Sequence, residues 1–362
     1  MQRYDRQTRL KDFGPQKQAL LQNAAVLVIG AGGLGMPVLQ YLTAMGVGRI
    51  GIVEHDNVSI TNLQRQVMYD TADEGKSKLG VVTKKLQALN PEVKFDAWDT
   101  FILPHNALEI IGQYDVVADC SDNFGTRYLV NDACVITGKP LIYGAIYQYE
   151  GQVSVFNYNG SATYRCLFPE PPAEGERMDC NELGVLGILP GIVGSYMTNE
   201  VVKVVCGIGL PLTNLLLTIH ILQNDHQVFH FGPVSGNHQI KALQESYDQG
   251  ACEVPAGLQL LEVKELAQWR GGGRTFQLLD VREQDEWEVC HIEGALHIPM
   301  NSVMRYADRL PKDQPIAVLC HHGMRSRAVA QQLLQAGFRT VYNVTGGIHA
   351  WAMEVDPEMA VY

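Results

Sequence analysis

Five apolar residues, Ala25-Val-Leu-Val-Ile29, run without a break into Gly30-Ala-Gly-Gly-Leu-Gly35, and a helical stretch follows. A buried strand that turns through glycines directly into a helix is the entry unit of a parallel sheet covered by helices. It aims backbone N–H groups and the positive end of a helix dipole at one point, where a phosphate can sit. The alternation continues from Ala24 to Ala145, with Arg49-Ile-Gly-Ile-Val53, Val93-Lys-Phe-Asp-Ala97, Asp115-Val-Val-Ala-Asp119 and Pro140-Leu-Ile-Tyr143 as further strands. The first domain is therefore α/β, Rossmann-like, with a mostly parallel sheet. The glycine turn alone does not name its ligand, because NAD, FAD, S-adenosylmethionine and ATP all use such turns.

After Gly144 the pattern becomes strand-rich around Glu150 to Tyr158, then Pro- and Gly-rich with little periodicity from Ser161 to Gly184. A loop of that length inside a domain is functional or mobile. A helix over Gly191 to Val205 and a strand over Leu215 to Leu222 follow. At 362 residues the chain has room for two cores. We read residues 1–246 as the first domain, 247–257 as a linker and 258–362 as a second, smaller α/β domain. The formal charge of -11 and the lack of Lys/Arg clusters exclude a nucleic-acid surface as the main partner. No apolar run has the ~18 residues of a membrane span. The polar N-terminus and scattered cysteines fit a cytoplasmic protein. Cys120, Cys134 and Cys206, in apolar surroundings, read as inert core residues.

Residues beyond the glycine turn narrow the ligand. Glu54 ends the second strand, where a carboxylate accepts from ribose hydroxyls. The run Asp56-Asn-Val-Ser-Ile-Thr-Asn-Leu-Gln-Arg-Gln66 brings amides and Arg65 near the phosphates, with Lys78 a dozen residues on. Fixed cations and Mg²⁺ stabilise a departing pyrophosphate, and Asp122 with Asn123 supplies a metal ligand and a polar neighbour.

The motifs Arg3-Tyr-Asp-Arg-Gln7, Gly30-Ala-Gly-Gly-Leu-Gly35, Thr61-Asn-Leu-Gln-Arg-Gln66, Asp119-Cys-Ser-Asp-Asn123, Tyr164-Arg-Cys166 and Cys180-Asn-Glu-Leu-Gly-Val-Leu-Gly187 occur in this order. Over Arg3 to Leu222 the chain resembles the ubiquitin-activating-enzyme-like adenylyltransferases of molybdopterin and thiamin biosynthesis, the MoeB/ThiF group. The resemblance implies ATP bound by Gly33, Glu54, Thr61, Asn62, Leu63, Gln64, Arg65, Lys78, Asp122 and Asn123, with Mg²⁺ on Asp122. Glu54 stands where the family commonly has Asp. It further implies a homodimer in which Arg6 reaches the site of the other subunit. Family members usually close a structural zinc with two Cys-x-x-Cys pairs. Here the first reads Thr163-Tyr-Arg-Cys166 and the second region, Phe231 to His238, has no cysteine. No structural zinc is expected, and His230, His238 or Cys252 fit no zinc spacing with Cys166. Apolar packing or hydrogen bonding should tie down that corner.

The second domain carries Leu278-Leu-Asp-Val-Arg282, His291-Ile-Glu-Gly-Ala-Leu-His-Ile-Pro299 and Ile316-Ala-Val-Leu-Cys-His-His-Gly-Met-Arg-Ser326. Cys320 ends a buried strand and opens a short loop into a helix, so backbone N–H groups can converge on its sulfur and favour the anion. Over Leu258 to Trp351 this resembles the rhodanese (sulfurtransferase) domain, with Cys320 as the sulfur-bearing nucleophile and Arg325 and Ser326 shaping the loop. Tyr342-Asn-Val-Thr-Gly-Gly347 reads as the last strand and the turn into the last helix.

The two resemblances imply one sequence of events. A ubiquitin-like sulfur-carrier protein ending in Gly-Gly is adenylated, with Asp122 and Arg65 assisting, and the Cys320 persulfide, charged from a persulfide or thiosulfate donor, attacks the adenylate. Cys180 then releases the thiocarboxylate by forming a disulfide with Cys320, takes the acyl group as a thioester, or is a packing residue only. Carriers of molybdopterin, thiamin or tRNA thiolation are alternatives, and an NAD-dependent oxidoreductase fused to a sulfurtransferase is the rival class.

Overall fold

The computed structural model describes residues 2–171, 184–247, 258–321 and 323–360. The chain divides into two compact units, Met1–Gln249 and Gly250–Tyr362. Tyr247, the first residue of the expected linker, is buried against the first unit, where its hydroxyl donates to Asp132 at 2.8 Å. The remaining linker residues lie outside the described residues.

The first unit is built on eight strands: β1 Ala25–Ile29, β2 Arg49–Val53, β3 Lys94–Trp98, β4 Val116–Asp119, β5 Leu141–Tyr147, β6 Glu150–Phe156, β7 Leu215–His220 and β8 Asp225–His230. Their order is β3-β2-β1-β4-β5-β6-β7-β8, parallel from β3 through β5 and antiparallel from β5 to β8. Both faces of β1 are covered. Val26 and Val28 join one apolar core, and Leu27 and Ile29 the core on the other side. Burial on two faces is why the strand reads as an unbroken apolar run. The order reverses between β1 and β4, so their carboxyl ends open a crevice at Gly30 and Cys120.

Strand β5, expected to end at Tyr143, continues to Tyr147 in its pairing with β6, and two later elements also differ from expectation. The helix expected from Gly191 spans Leu189–Cys206, because Pro190 sits in its first turn, where a missing N–H costs nothing. The strand expected to Leu222 stops at His220, and Asn224, in the left-handed region, turns the chain into β8. Every residue of β8 is exposed, so it lacks the apolar alternation that announces a strand.

The second unit has five parallel strands, β9 Leu258–Leu261, β10 Gln277–Asp280, β11 Leu296–His297, β12 Ile316–Leu319 and β13 Val341–Val344, in the order β11-β10-β12-β13-β9. Here too the order reverses between neighbours, β10 and β12, and Cys320 follows β12 at that point. Among the described residues no helix is long and apolar enough to cross a membrane.

The Asp-Val-Arg motif is a buried tie. Arg282 and Asp280, both with fully buried side chains, pair at 2.6 Å, and Arg282 Nη2 donates to Cys290 O at 2.9 Å. His297 Nε2 lies 2.8 Å from Arg282 O, so the His-Ile-Glu-Gly-Ala-Leu-His segment is fastened to the same residue. Arg282→Met should strand the Asp280 carboxylate and destabilise the second unit by about 3–5 kcal/mol. Urea unfolding followed by tryptophan fluorescence reads this, since Trp269, Trp287 and Trp351 lie in that unit and only Trp98 in the first.

Candidate functional site

At the first crevice the glycine turn is locked at Ala31, in the two peptide units that meet there. Ala31 N donates to Glu54 Oε2 at 2.9 Å, and Ala31 O accepts from Tyr69 Oη at 3.0 Å. Glu54 Oε1 takes the N–H groups of His55 and Asp56, each at 2.8 Å. A carboxylate offers about four lone-pair sites, so Glu54 keeps capacity for one further donor. Tyr69 is buried, and burial first of all, with Glu54 and Asp56 nearby, pushes its phenol far up, so the group is a proton donor. A Cβ on Gly35 would stand 2.0 Å from Gly30 O, which is why the turn closes only around glycine.

The other expected residues surround this turn. Thr61 and Asn62 lie in the 3-10 turn Ile60–Asn62, closed by Ser59 N to Asn62 Oδ1 at 3.2 Å and Ser59 Oγ to Thr61 Oγ1 at 3.0 Å. Leu63 packs on the first core. Gln64 is exposed, and its carbonyl packs against Gly187. Arg65 Nη1 donates to Thr61 O at 3.1 Å. A cleft of about 640 Å³ runs from Gly33 and Arg65 between the Gly35–Met45 and Leu189–Cys206 helices, past Tyr41, Ile188 and Tyr196. Lys78 is buried and pairs with the exposed Asp56 at 3.0 Å. Asp122 is exposed beyond β4, while Asn123 caps the Phe124–Thr137 helix by accepting from Thr126 N at 2.8 Å. Asp119, between them and the sheet, is buried, and burial raises its carboxyl despite the Ser121 hydrogen bond and Arg127.

Arg6 is exposed and is not brought to the turn of its own chain. Its neighbours Gln7 and Tyr4 dock at Met45 and Gly46, the far end of a helix about 16 Å long by the usual rise. Cys180 lies outside the described residues. Cys120, Cys134 and Cys206 are buried, and burial raises all three thiols, as core cysteines require.

In the second unit Cys320 is 1% exposed. Its Sγ accepts from Gly323 N at 3.1 Å and lies 3.3 Å from Ser326 Oγ. The loop is held from behind by the Gly347–Glu354 helix, whose Ile348 N and His349 N donate to Cys320 O and His321 O at 2.8 and 3.1 Å. With those carbonyls held from behind, the loop presents Gly323 N to the sulfur. A Cβ on Gly347 would stand 2.2 Å from His321 O, so the Gly-Gly turn belongs to the site. Arg325 grips both oxygens of Glu286 at 2.6 and 2.7 Å and fixes the first turn of the Met324–Gln335 helix. Sequence reasoning missed Tyr69, Glu286, Asn343 and Gly347, of which only the repeated glycine left a local trace.

The corner at Thr163-Tyr-Arg-Cys166 is tied by hydrogen bonding. Cys166 Sγ accepts from Val234 N at 3.2 Å, Thr163 Oγ1 at 3.3 Å, Thr163 N at 3.4 Å and Asn237 Nδ2 at 3.5 Å, joining the two chain segments. Cys252 lies outside the described residues. Burial opposes ionisation of Cys166, but the four donors together outweigh it and its thiol sits below the ordinary value. A depressed folded value stabilises the fold above the unfolded value and loses that contribution as pH falls through the folded one. The melting-temperature gap between wild type and Cys166→Ala should therefore widen from about pH 6 to about pH 9.5, and a gap independent of pH would remove the thiolate from the account.

These two crevices define an adenylyltransferase joined to a sulfurtransferase, and the comparisons agree. The chain belongs to the ThiF family, whose model matches residues 4–239, and a Rhodanese-like domain matches residues 262–354. It is 40% identical over 374 residues to the "Probable adenylyltransferase/sulfurtransferase MoeZ" of Mycobacterium tuberculosis, covering 99% of this chain and 95% of that protein. It is 35% identical over 408 residues to "Adenylyltransferase and sulfurtransferase MOCS3" of Xenopus laevis, covering 99% and 88%. The "Sulfur carrier protein adenylyltransferase" of Thermus thermophilus is 53% identical over 228 residues, 62% of this chain and 84% of that protein. Among solved structures, E. coli MccB with ATP has a TM-score of 0.57 at 21% identity, covering 65% of this chain and 73% of that one, a likeness of fold. The oxidoreductase alternative falls away with this family.

Proposed function

We propose that the enzyme adenylates the C-terminal glycine of a ubiquitin-like sulfur carrier ending in Gly-Gly, of the molybdopterin-synthase type, and converts it to a thiocarboxylate with sulfur from Cys320. The observation that carries this reading is the presence in one chain of a cation-flanked glycine turn and a buried cysteine whose sulfur meets the Gly323 N–H and the Ser326 hydroxyl. Each alone serves many reactions; together they match activation of a carboxylate and delivery of sulfur to it.

A carboxylate resists nucleophiles because it is anionic and would have to expel oxide. Attack of its oxygen on the α-phosphorus of ATP breaks the bond to pyrophosphate and leaves an acyl adenylate. The turn at Gly33 and the N-terminal end of the Gly35–Met45 helix offer N–H groups to the phosphates, Glu54 has room for a ribose hydroxyl, and Arg65 and Lys78 face the growing pyrophosphate charge. Thr61 to Gln64 carry these groups, and Asn123 sets the loop. Asp122, an exposed carboxylate beside the crevice, fits Mg²⁺, which needs only one or two carboxylates when phosphates complete its shell. When bound, the ion neutralises charge on the phosphate oxygens. The cleft of about 640 Å³ beside Gly33 is where a tail without side chains would enter. Arg6, docked at the far end of the helix, is free to serve a partner subunit in a homodimer.

The terminal sulfur of a Cys320 persulfide, charged by a persulfide or thiosulfate donor, then attacks the acyl carbon and AMP leaves, forming an acyl disulfide. Cys180 thiolate attacking the Cys320 sulfur releases the thiocarboxylate and leaves a Cys180–Cys320 disulfide for reduction. Tethering of residues 258–362 to residues 1–246 raises the local concentration of the persulfide. The 53% identity to a sulfur carrier protein adenylyltransferase supports the carrier class. Thiamin and tRNA-thiolation carriers use the same chemistry.

With a Gly-Gly carrier present, Asp122→Ala should abolish exchange of pyrophosphate into ATP, and normal exchange removes its metal role. Tyr69→Phe should raise the KM for ATP about tenfold, the worth of one buried acceptor left unpaired, with kcat little changed. Cys320→Ala should leave exchange intact and stop thiocarboxylate formation; sulfur arriving undiminished on the carrier would sink the tethered-donor scheme.

A further inference from the structure

Ser326 has one hydroxyl proton and two buried acceptors within reach. Its Oγ lies 2.6 Å from Asn343 Oδ1 and 3.3 Å from Cys320 Sγ. Ser326 is 0%, Cys320 1% and Asn343 4% exposed, so bulk water does not replace a lost partner. Asn343 belongs to β13, where it pairs with Val318 of β12, two residues before the cysteine.

What the sulfur asks of its surroundings changes with its charge. A neutral thiol donates, and Ser326 Oγ can take that proton while giving its own to Asn343 Oδ1. A thiolate or persulfide anion only accepts. Gly323 N–H meets it on one side, and the Ser326 proton has to turn to meet it on another. That turn leaves two acceptor oxygens, Ser326 Oγ and Asn343 Oδ1, facing each other at 2.6 Å with no proton between them. A carboxamide resolves the conflict because half a rotation brings its NH₂ to the same place and makes it a donor.

We infer that Asn343 is a positioning residue for Cys320, its side-chain amide turning over with the charge on sulfur so that the Ser326 proton follows that charge. In the thiol state Asn343 receives the proton; in the anionic state it releases the proton to sulfur and supports the hydroxyl from behind. Along the row Cys320, Ser326, Asn343 each facing pair then has one proton between its atoms in both forms of the cysteine. The inference rests on the sulfur-bearing role of Cys320, but its test needs neither carrier nor nucleotide.

The test is the rate at which iodoacetamide alkylates Cys320 in the reduced full-length chain near neutral pH, read on the Cys320 peptide by mass spectrometry. Ser326→Ala should slow alkylation about tenfold or more, the worth of a hydrogen bond to a charged group. Asn343→Leu has similar volume and no acceptor, so the Ser326 proton is left to sulfur and the rate should equal or exceed that of wild type. Asn343→Asp accepts in either orientation, holds the Ser326 proton, and should be as slow as Ser326→Ala. A carboxylate also opposes a nearby thiolate by its charge, so the aspartate placed in the Ser326→Ala chain reads that repulsion alone, and its slowing in the chain that keeps Ser326 should be clearly larger. An alkylation rate in Asn343→Leu as low as in Ser326→Ala, with an unchanged melting temperature, would overturn the inference; so would a full rate in Asn343→Asp, which also carries the test should the leucine chain not fold. Failure of the sulfur-transfer reading leaves a different trace, the expected alkylation pattern with no sulfur reaching the carrier.

Discussion

Both reaction centres depend on one constraint of parallel sheets. Where strand order reverses, the connections leave on opposite faces and nothing covers the carboxyl ends of the two strands between them. Backbone N–H groups of the following turns can then point into the crevice rather than at a neighbouring strand. In the first unit this happens between β1 and β4, beside Gly30 and Cys120; in the second, between β10 and β12, beside Cys320. In the proposed function one site meets phosphate charge and the other meets sulfur charge, but the physical resource is the same.

Such turns work only if they are rigid, and the polar groups buried behind each crevice supply that rigidity. Glu54 and Tyr69 take the N–H and the C=O of the single residue Ala31, so neither of the two peptide units that meet there can rotate without losing a bond. Behind Cys320 the amides of Ile348 and His349 hold two consecutive carbonyls, and Arg325 is fixed by Glu286. Cys166 plays a comparable part at another corner of the first unit, where one sulfur with four donors joins Thr163 to Val234 and Asn237. Chemistry is left to a few side chains because backbone geometry is decided elsewhere.

The parts that were legible in the sequence are those whose signal is local. Strands β1, β2 and β4 are covered on both faces and so read as apolar runs, and the glycine turn and the Cys320 loop are contiguous motifs. β8 escaped notice because all six of its residues are exposed. The supporting residues were invisible for a different reason: Tyr69 lies 38 positions from Ala31, Glu286 lies 39 from Arg325, and Asn343 lies 17 from Ser326. Nothing at either end of such a pair announces the other until the sheet brings them together. Lys78 was expected near phosphate from spacing, and its pairing with Asp56 became apparent only with the fold.

The central claim is that one chain both activates a carboxyl terminus and replaces its oxygen with sulfur. Its most direct test is the intact mass of a Gly-Gly carrier after incubation with the enzyme, ATP, Mg²⁺ and a persulfide donor. The account predicts a carrier heavier by the difference between one sulfur and one oxygen, only when ATP is present. A carrier that returns at its starting mass, while AMP accumulates and Cys320 carries its extra sulfur, would contradict it.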